Sequence, residues 1–319
     1  MENSIVNKFI SAGLSRRSFL TTAGVASAAM LVGCGDDGNI TPTPTPTPPA
    51  ATAVTDVDIL NFALNLEYLE TEFYLRAATG SGLTSADGGG AAVTIPSGKV
   101  SFSNSFNQQL SFELAQTELQ HVRAIRATIT SLGGTPIAAP ALNFTDAFNA
   151  VANLAGLGSF NPFASDYNFL IGALTFEEIG VTAYTGAAKL IKNLAVLDAA
   201  AGIQAAESYH AGAIRTVLAG QAIANNSQSN VVAYNSILQV LNKLDTGAHT
   251  TLLTANAASV AGVTATSSTV VSADSNAIGW ARTTDQVLHI AYAVPPGTYP
   301  TSGGFFPSGL NGTIKQPTT

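Results

Sequence analysis

A nine-residue pattern that occurs twice constrains this chain more than any other feature. The segments ELQHVRAIR at 118–126 and ESYHAGAIR at 207–215 are identical at five of nine positions, and they contain two of the four histidines. Each copy places a glutamate three residues before a histidine. Residues three apart on an α-helix lie on the same face. The pattern therefore predicts two equivalent helices, each of which presents a carboxylate and an imidazole to the same side.

A second repeat precedes each of these predicted helices. The segments EYLETEFYLRAA at 67–78 and EEIGVTAYTGAA at 177–188 both place a glutamate seven residues before a tyrosine. Seven residues make two helical turns, so the two side chains share one helical face in each segment. The four pieces occur in the same order in both halves. The chain is therefore predicted to contain two copies of one helical hairpin.

Apolar periodicity and turn residues predict four helices within these hairpins. The predicted helices cover about 54–79, 103–132, 165–191 and 196–222. The connection between the second and third helices is long, whereas the connection near Lys192 is short. Short connections favour antiparallel neighbours and a long one favours a crossover. We therefore predict an all-α fold, in which an antiparallel four-helix bundle is built from two hairpins with a long crossover.

The first 33 residues are predicted to be an export signal. Arg16 and Arg17 stand just ahead of an apolar run that ends in LVGC, whose cysteine is Cys34. The paired arginines resemble a twin-arginine signal, and LVGC resembles a bacterial lipobox. In this interpretation Cys34 becomes the lipidated first residue, and an uncleaved membrane anchor is the alternative. Both place the protein outside the cytoplasm, in the periplasm or at the cell surface, and tie it to a membrane.

The remaining chain divides by composition into three predicted segments. Residues 34–53 form a Thr/Pro-rich linker, because the alternating prolines of TPTPTPTPPA favour an extended polyproline spacer. Residues 54–222 form the four-helix bundle, and residues 223–319 form a C-terminal extension. Within the extension, VVAYNSILQVLNKL and ARTTDQVLHIAY predict short helices, and the rest is expected to have little regular structure. We expect the extension to wrap the bundle or to mediate association into a homo-oligomer.

Charge is scarce in this sequence and is placed selectively. Charged residues make up 10% of the chain, and the formal net charge is −7. No basic cluster is present to neutralise phosphates, which argues against nucleic acid as a partner. Cys34 is the only cysteine, so the mature domain has no disulfide. Eight glutamates follow the signal segment, and all eight lie in the four predicted helices.

The order Glu, Glu-x2-His, Glu, Glu-x2-His over four helices is similar to that of the ferritin-like di-iron carboxylate proteins, including bacterioferritins and rubrerythrins. The export signal and the C-terminal segment GWARTTDQVLHIAY make the chain resemble, more narrowly, the exported ferritin-like family that includes desiccation-related proteins. The resemblance implies a dimetal site with six ligands: Glu67 and Glu177 as terminal ligands, Glu118 and Glu207 as bridges, and His121 and His210 as one imidazole for each ion.

Elementary electrostatics supports the same grouping of residues. Four buried carboxylates without partners would cost several kcal/mol or would take up protons. Two divalent ions bring four positive charges to balance the four negative ones. Oxygen-rich ligands with one imidazole per metal suit two iron ions or, alternatively, two manganese ions, and zinc also binds such ligands.

Several neighbouring residues are candidates for supporting roles. Three further glutamates, which alternatively are solvated at the surface, are candidates for orienting the histidines: Glu70, Glu113 and Glu178. Tyr74 and Tyr184 are candidates for hydrogen bonds to the ligands, although aromatic residues on a buried face often serve only the core. Arg126 and Arg215 close the two copies of the first repeat and are predicted to form salt bridges at the end of the site.

Two functions follow from the resemblance. The first is a redox enzyme whose dimetal site reacts with dioxygen or peroxide, so that it oxidises ferrous iron or removes peroxide, with a manganese catalase as a variant. The second is a non-enzymatic protein that uses the ferritin-like bundle to protect the envelope under drying or oxidative stress. Fold alone does not decide between them.

Overall fold

A computed structural model of the protein describes residues 53–224, 228–247, 249–253, 255–260, 263–268 and 270–318. The predictions for the export signal, for Cys34 and for nearly all of the linker concern residues 1–52 and therefore lie outside the described residues. Among the described helices, none combines the length and the apolar character that crossing a lipid bilayer would require.

Helices dominate the described part of the chain. They are α1 (Asp56–Thr79), α2 (Ser105–Ser131), α3 (Phe144–Leu154), α4 (Asp166–Ala187), α5 (Leu194–Ala224), α6 (Gln228–Leu244) and α7 (Thr284–Ala291). Two short strands, β1 (Val93–Thr94) and β2 (Leu142–Asn143), pair in parallel. A second pair, β3 (Ala255–Val260) and β4 (Val263–Ser268), is antiparallel.

The four-helix bundle that the two repeats predict is confirmed. Helices α1 and α2 form one hairpin, α4 and α5 form the other, and the hairpins meet mainly through α1 and α4. Local sequence explains where these helices begin and end. Thr55 and Asp58 form a reciprocal capping box at the start of α1, and Gly80 ends that helix with φ of +86°. Ser165 caps α4 through the backbone amide of Asn168.

The long connection between the hairpins contains a helix that the sequence analysis missed. Helix α3 begins after Asn143, whose side chain accepts a hydrogen bond from the amide of Asp146. Its apolar face carries Phe144 and Phe148, which pack against Phe73 of α1. The crossover therefore extends the bundle core, and its aromatic residues fix how it passes over the hairpins.

The C-terminal extension contains the two predicted helices, α6 and α7, but it is more regular than expected. The strands β3 and β4 form a hairpin where the sequence predicted little regular structure. The extension also packs with the bundle in one compact unit. The backbone amide of Arg282 donates to the carbonyl of Thr182 on α4. Gly186 permits this close approach, because a methyl group at that position would overlap the carbonyl oxygen of Arg282.

Candidate metal centre

Four glutamates, one from each bundle helix, meet at the centre of the bundle. Glu67, Glu118, Glu177 and Glu207 are each 0% exposed. Unpaired carboxylates are almost never buried in this way, because removing their charge from water costs several kcal/mol. The arrangement follows from the repeats, since each hairpin brings one glutamate from its first helix and one from its second.

Together with two histidines, these carboxylates form two overlapping groups of ligand atoms. The first group is Glu67, Glu118, His121 and Glu207, and the second is Glu118, Glu177, Glu207 and His210. Within each group the ligand atoms all lie within 4.8 Å of one another. Glu118 and Glu207 belong to both groups. This geometry agrees with the predicted set, in which these two carboxylates bridge and the other residues each serve one ion.

The imidazole nitrogens face the carboxylate oxygens at short range. Nδ1 of His121 lies 3.2 Å from Glu118 Oε2, 3.2 Å from Glu207 Oε1 and 3.4 Å from Glu67 Oε2. Nδ1 of His210 lies 2.9 Å from Glu118 Oε1 and 3.4 Å from Glu177 Oε2. The two rings are 6.0 Å apart between centroids. Both imidazoles therefore point into the carboxylate cluster, with one nitrogen each available to a metal.

The donor atoms left without hydrogen bonds test whether metal ions fit this cluster. Within the described part of the chain, six buried atoms of the cluster lack a hydrogen-bond partner: Glu67 Oε2, Glu118 Oε1, Glu177 Oε2, both carboxylate oxygens of Glu207, and His210 Nδ1. Buried polar atoms are almost always satisfied, because an unmet one costs about 1–3 kcal/mol. These atoms converge on the interior of the cluster. The residues present therefore fit two divalent cations.

The pKa values of the cluster residues reflect an excess of buried negative charge. Burial raises the pKa of Glu67 to about 7 and that of Glu207 to about 8, and it also raises the pKa of Glu177. Burial alone would lower the pKa of His210, but the negative charge of Glu177 and the Glu118 carboxylate 2.9 Å away outweigh it and raise that pKa to about 11. In the absence of another cation, the cluster retains protons to offset its carboxylates.

The two tyrosines of the second repeat hydrogen-bond to the terminal glutamates of the opposite hairpin. The hydroxyl of Tyr74 on α1 donates to Glu177 Oε1 on α4 at 2.6 Å. Reciprocally, the hydroxyl of Tyr184 on α4 donates to Glu67 Oε1 on α1. In each glutamate the other oxygen, Oε2, is the atom that faces a histidine. The tyrosines are therefore partners of the ligands, and the repeat has a structural explanation.

Removal of either tyrosine hydroxyl is expected to weaken metal binding. In Tyr74→Phe or Tyr184→Phe, one terminal carboxylate loses the hydrogen bond that fixes its rotation, and groups that orient metal ligands typically contribute about tenfold or more to affinity. Equilibrium titration with manganous ion measures the effect. Tyr292→Phe is the matched control, because that hydroxyl bonds the carbonyl of Lys315 and the amide of Leu310 instead. Unchanged affinity in both variants would contradict the assignment.

The three candidate supporting glutamates lie in different surroundings. Glu113 lies on the exposed face of α2. Glu178 is buried but forms an ion pair of 2.5 Å with Arg215. Glu70 is buried beside the cluster, and burial together with the charge of Glu207 raises its pKa well above the ordinary value. Among the described residues, no hydrogen bond joins Glu70 to either histidine. The solvated alternative therefore applies to Glu113, Glu178 pairs with Arg215 instead of a histidine, and a supporting role of Glu70 stays a prediction.

The two arginines that close the first repeat make different contacts. The predicted salt bridge of Arg215 is present, but Arg126 instead donates to the hydroxyl of Tyr68 at 2.6 Å.

The sequence analysis did not identify Gly180 on α4, although a methyl group at that position would overlap Glu207 Oε2 and lie 3.1 Å from Glu70 Oε1. A glycine inside a helix costs about 1 kcal/mol relative to alanine, so its place in EEIGVTAY was an available signal.

Comparison with known proteins agrees with this geometry. A model of the ferritin-like domain matches residues 55–220. The chain belongs to the ferritin-like domain family. This confirms the resemblance drawn from the order of the glutamates and histidines, and the matched range contains all six predicted ligands.

Two curated relatives extend the comparison. Over 269 residues the chain is 26% identical to the ferritin-like catalase Nec2 of Nesocodon mauritianus, an alignment that covers 82% of this chain and 85% of that protein. Over 169 residues it is 28% identical to the desiccation-related protein PCC13-62 of Craterostigma plantagineum, with 51% of this chain and 53% of that protein covered. The narrower resemblance to desiccation-related proteins is therefore confirmed as well.

Proposed function

We propose that this ferritin-like protein is an exported dimetal enzyme that removes hydrogen peroxide. The observation that carries the proposal is the sharing of Glu118 and Glu207 between two complete groups of ligand atoms. Shared carboxylates hold two ions close enough to act together on one small molecule. The similarity to a protein named as a ferritin-like catalase supports peroxide as the substrate. Export through the twin-arginine route, with anchoring at Cys34, belongs to the same proposal.

The side chains of the cluster would bind two iron or two manganese ions in the grouping described above. The chemistry that such ions would supply is two-electron exchange, in which one hydrogen peroxide is oxidised to dioxygen and another is reduced to two water molecules. The two protons released in the first half equal the two consumed in the second.

Access to the cluster is easiest on the side of the histidines. The four glutamates are 0% exposed, whereas His121 is 7% and His210 is 9% exposed. These histidines lie on α2 and α5, and of the adjacent helix pairs in the bundle this one has the sparsest contact. So small an exposed fraction favours a substrate of a few atoms, and burial keeps bulk water away from the carboxylates.

Oxygen measurements on metal-loaded protein test the proposed activity. The chain is freed of metal, loaded anaerobically with manganous or ferrous ion, and mixed with hydrogen peroxide at an oxygen electrode. We expect one dioxygen to be released for every two peroxides consumed, and we expect the Glu118→Ala/Glu207→Ala variant to lose this activity. A protein that binds two ions but releases no dioxygen would contradict the proposal. Uptake of dioxygen with ferrous ion would then identify ferrous oxidation instead.

A second candidate function, non-enzymatic protection of the envelope, is favoured by the similarity to a desiccation-related protein. In that case the bundle acts as a structural module that folds equally well without metal. Thermal unfolding and peroxide consumption distinguish the two functions. The structural role requires a thermal unfolding midpoint that is the same with and without metal, together with no consumption of peroxide by the metal-loaded protein.

A further inference from the structure

The arginine that closes each copy of the nine-residue pattern reaches the same position on the facing helix. Arg126 on α2 donates to the hydroxyl of Tyr68, and Arg215 on α5 pairs with the carboxylate of Glu178. Tyr68 directly follows the terminal glutamate of the first hairpin, and Glu178 directly follows that of the second. The two halves of the bundle are therefore related by the repeat, but one uses a neutral contact and the other uses an ion pair.

The surroundings of the two arginines differ as well. Arg126 is half-buried and bonds the carbonyl of Ile137, in the connection after its own hairpin, at 3.2 Å. Arg215 is 1% exposed and bonds the C-terminal extension. Its Nε donates to the carbonyl of Val270 at 2.5 Å, and its Nη2 donates to the carbonyl of Thr251 at 2.8 Å. Among the described residues, the extension thus contacts Arg215 of the second half and not Arg126 of the first.

The carboxylate of Glu178 completes this connection. One oxygen pairs with Arg215 at 2.5 Å, and the other accepts a hydrogen bond from Ser272 of the extension at 3.1 Å. Both charged side chains are buried. The planar guanidinium presents several N–H donors in a fixed fork, an arrangement that the ammonium group of a lysine would not reproduce. The pair therefore locks α4, α5 and the extension to one another at the residue next to the terminal ligand Glu177.

We propose that Arg215 is a positioning residue for the metal position formed with Glu177 and His210, and that the two metal positions are consequently not equivalent. The inference rests on the proposed dimetal site. Glu178 shares a peptide bond with Glu177, and Arg215 follows His210 by five residues on α5. An ion pair between them resists sliding of α4 along α5. It thereby fixes the spacing between a carboxylate and an imidazole that must bind one ion.

The test isolates each metal position before Arg215 is changed. Glu67→Ala leaves the position of Glu177 and His210 with its predicted ligands, and Glu177→Ala leaves the other position. Arg215→Lys is then introduced into each background. Manganous ion is titrated anaerobically while the electron paramagnetic resonance signal of the free ion is recorded. We expect the dissociation constant to rise about tenfold to a hundredfold in the Glu67→Ala background, and to stay unchanged in the Glu177→Ala background.

Two controls keep the result interpretable. Arg126→Lys should leave the dissociation constant nearly unchanged in both backgrounds, because Arg126 contacts a neutral hydroxyl and the carbonyl of Ile137 instead of a buried carboxylate and the extension. An Arg215→Met/Glu178→Met variant removes the pair without leaving a buried charge. Such replacements are often neutral for stability, so this variant replaces Arg215→Lys in the titration if the lysine variant does not fold. It should show the same selective loss of affinity. Circular dichroism confirms that each variant is folded.

The possible outcomes separate this inference from the proposed function. If the unaltered chain binds two manganous ions and the Arg215 variants weaken both positions equally, or neither, Arg215 has no selective positioning role. If the unaltered chain binds neither manganous nor ferrous ion, the dimetal proposal itself fails, and this inference fails with it. Selective weakening of the position of Glu177 and His210 supports both.

Discussion

Replacement of Arg282 by methionine is expected to lower the free energy of unfolding by about 3–5 kcal/mol. Arg282 is 1% exposed and its Nε lies 2.6 Å from Asp245 Oδ2, while Asp245 is 0% exposed. Its other nitrogens bond the carbonyl of Glu178 and the hydroxyls of Thr182 and Thr250. The substitution would take the guanidinium away from the buried Asp245 carboxylate, whose remaining ionisable neighbour among the described residues is the imidazole of His249 at 3.2 Å, and would detach the extension from α4. Chemical denaturation followed by circular dichroism measures the loss.

A matched control is provided by an arginine at the surface. Arg123 pairs with Asp87 at 2.7 Å, but 48% of its side chain is exposed. Arg123→Met should therefore cost no more than about 1 kcal/mol, because exposed ion pairs contribute little. An Asp245→Asn/Arg282→Met variant removes the uncompensated charge and should be more stable than Arg282→Met alone. Equal losses for Arg282→Met and Arg123→Met would show that the buried pair does not hold the extension in place.

Gly180→Ala is expected to impair metal binding although it changes no ligand. Glycine lies at this position of α4 where a methyl group would overlap Glu207 Oε2. Alanine favours helix by about 1 kcal/mol relative to glycine. However, the shared carboxylate must rotate away from the new methyl group, and a displaced ligand weakens binding at both positions. By analogy with other changes that misorient metal ligands, we expect affinity to fall about tenfold to a hundredfold. Manganous ion titration measures the fall.

Gly212→Ala on α5 is the control for that substitution. Apart from its chain neighbours and the backbone of its own helix, no atom of the described residues lies within 4 Å of the position that its methyl group would occupy. The same chemical change should therefore leave metal affinity intact. If Gly180→Ala binds two ions as tightly as Gly212→Ala does, Glu207 is not held at the position that the shared-carboxylate arrangement requires.

Much of the site was predictable because its residues recur at helical spacings. Separations of three and seven residues place side chains on one face, and the repeat then identifies which glutamates correspond between the hairpins. The same argument could not decide between neighbours such as Glu177 and Glu178. Adjacent helical residues point about 100° apart, since a turn takes 3.6 residues. Glu178 consequently faces Arg215 rather than a histidine.

The features that sequence reasoning missed depend on contacts between distant segments. The crossing of each tyrosine hydroxyl to the opposite hairpin requires the packing of α1 against α4, which helical spacing does not encode. The bond between Asp245 and Arg282 joins two parts of the extension that carry no shared motif. Helix α3 has eleven residues, and β3 and β4 have six residues each. Such short elements are stabilised mainly by the surfaces on which they pack.

The most direct test of the dimetal centre is elemental analysis of the folded protein beside its Glu118→Ala/Glu207→Ala variant. These two carboxylates belong to both groups of ligand atoms, so their removal should affect both ions at once. We predict about two iron or manganese ions per chain, in line with carboxylate-rich dimetal bundles, and none in the folded variant. Absence of bound metal from the unaltered protein, even after anaerobic loading with ferrous or manganous ion, would contradict the account.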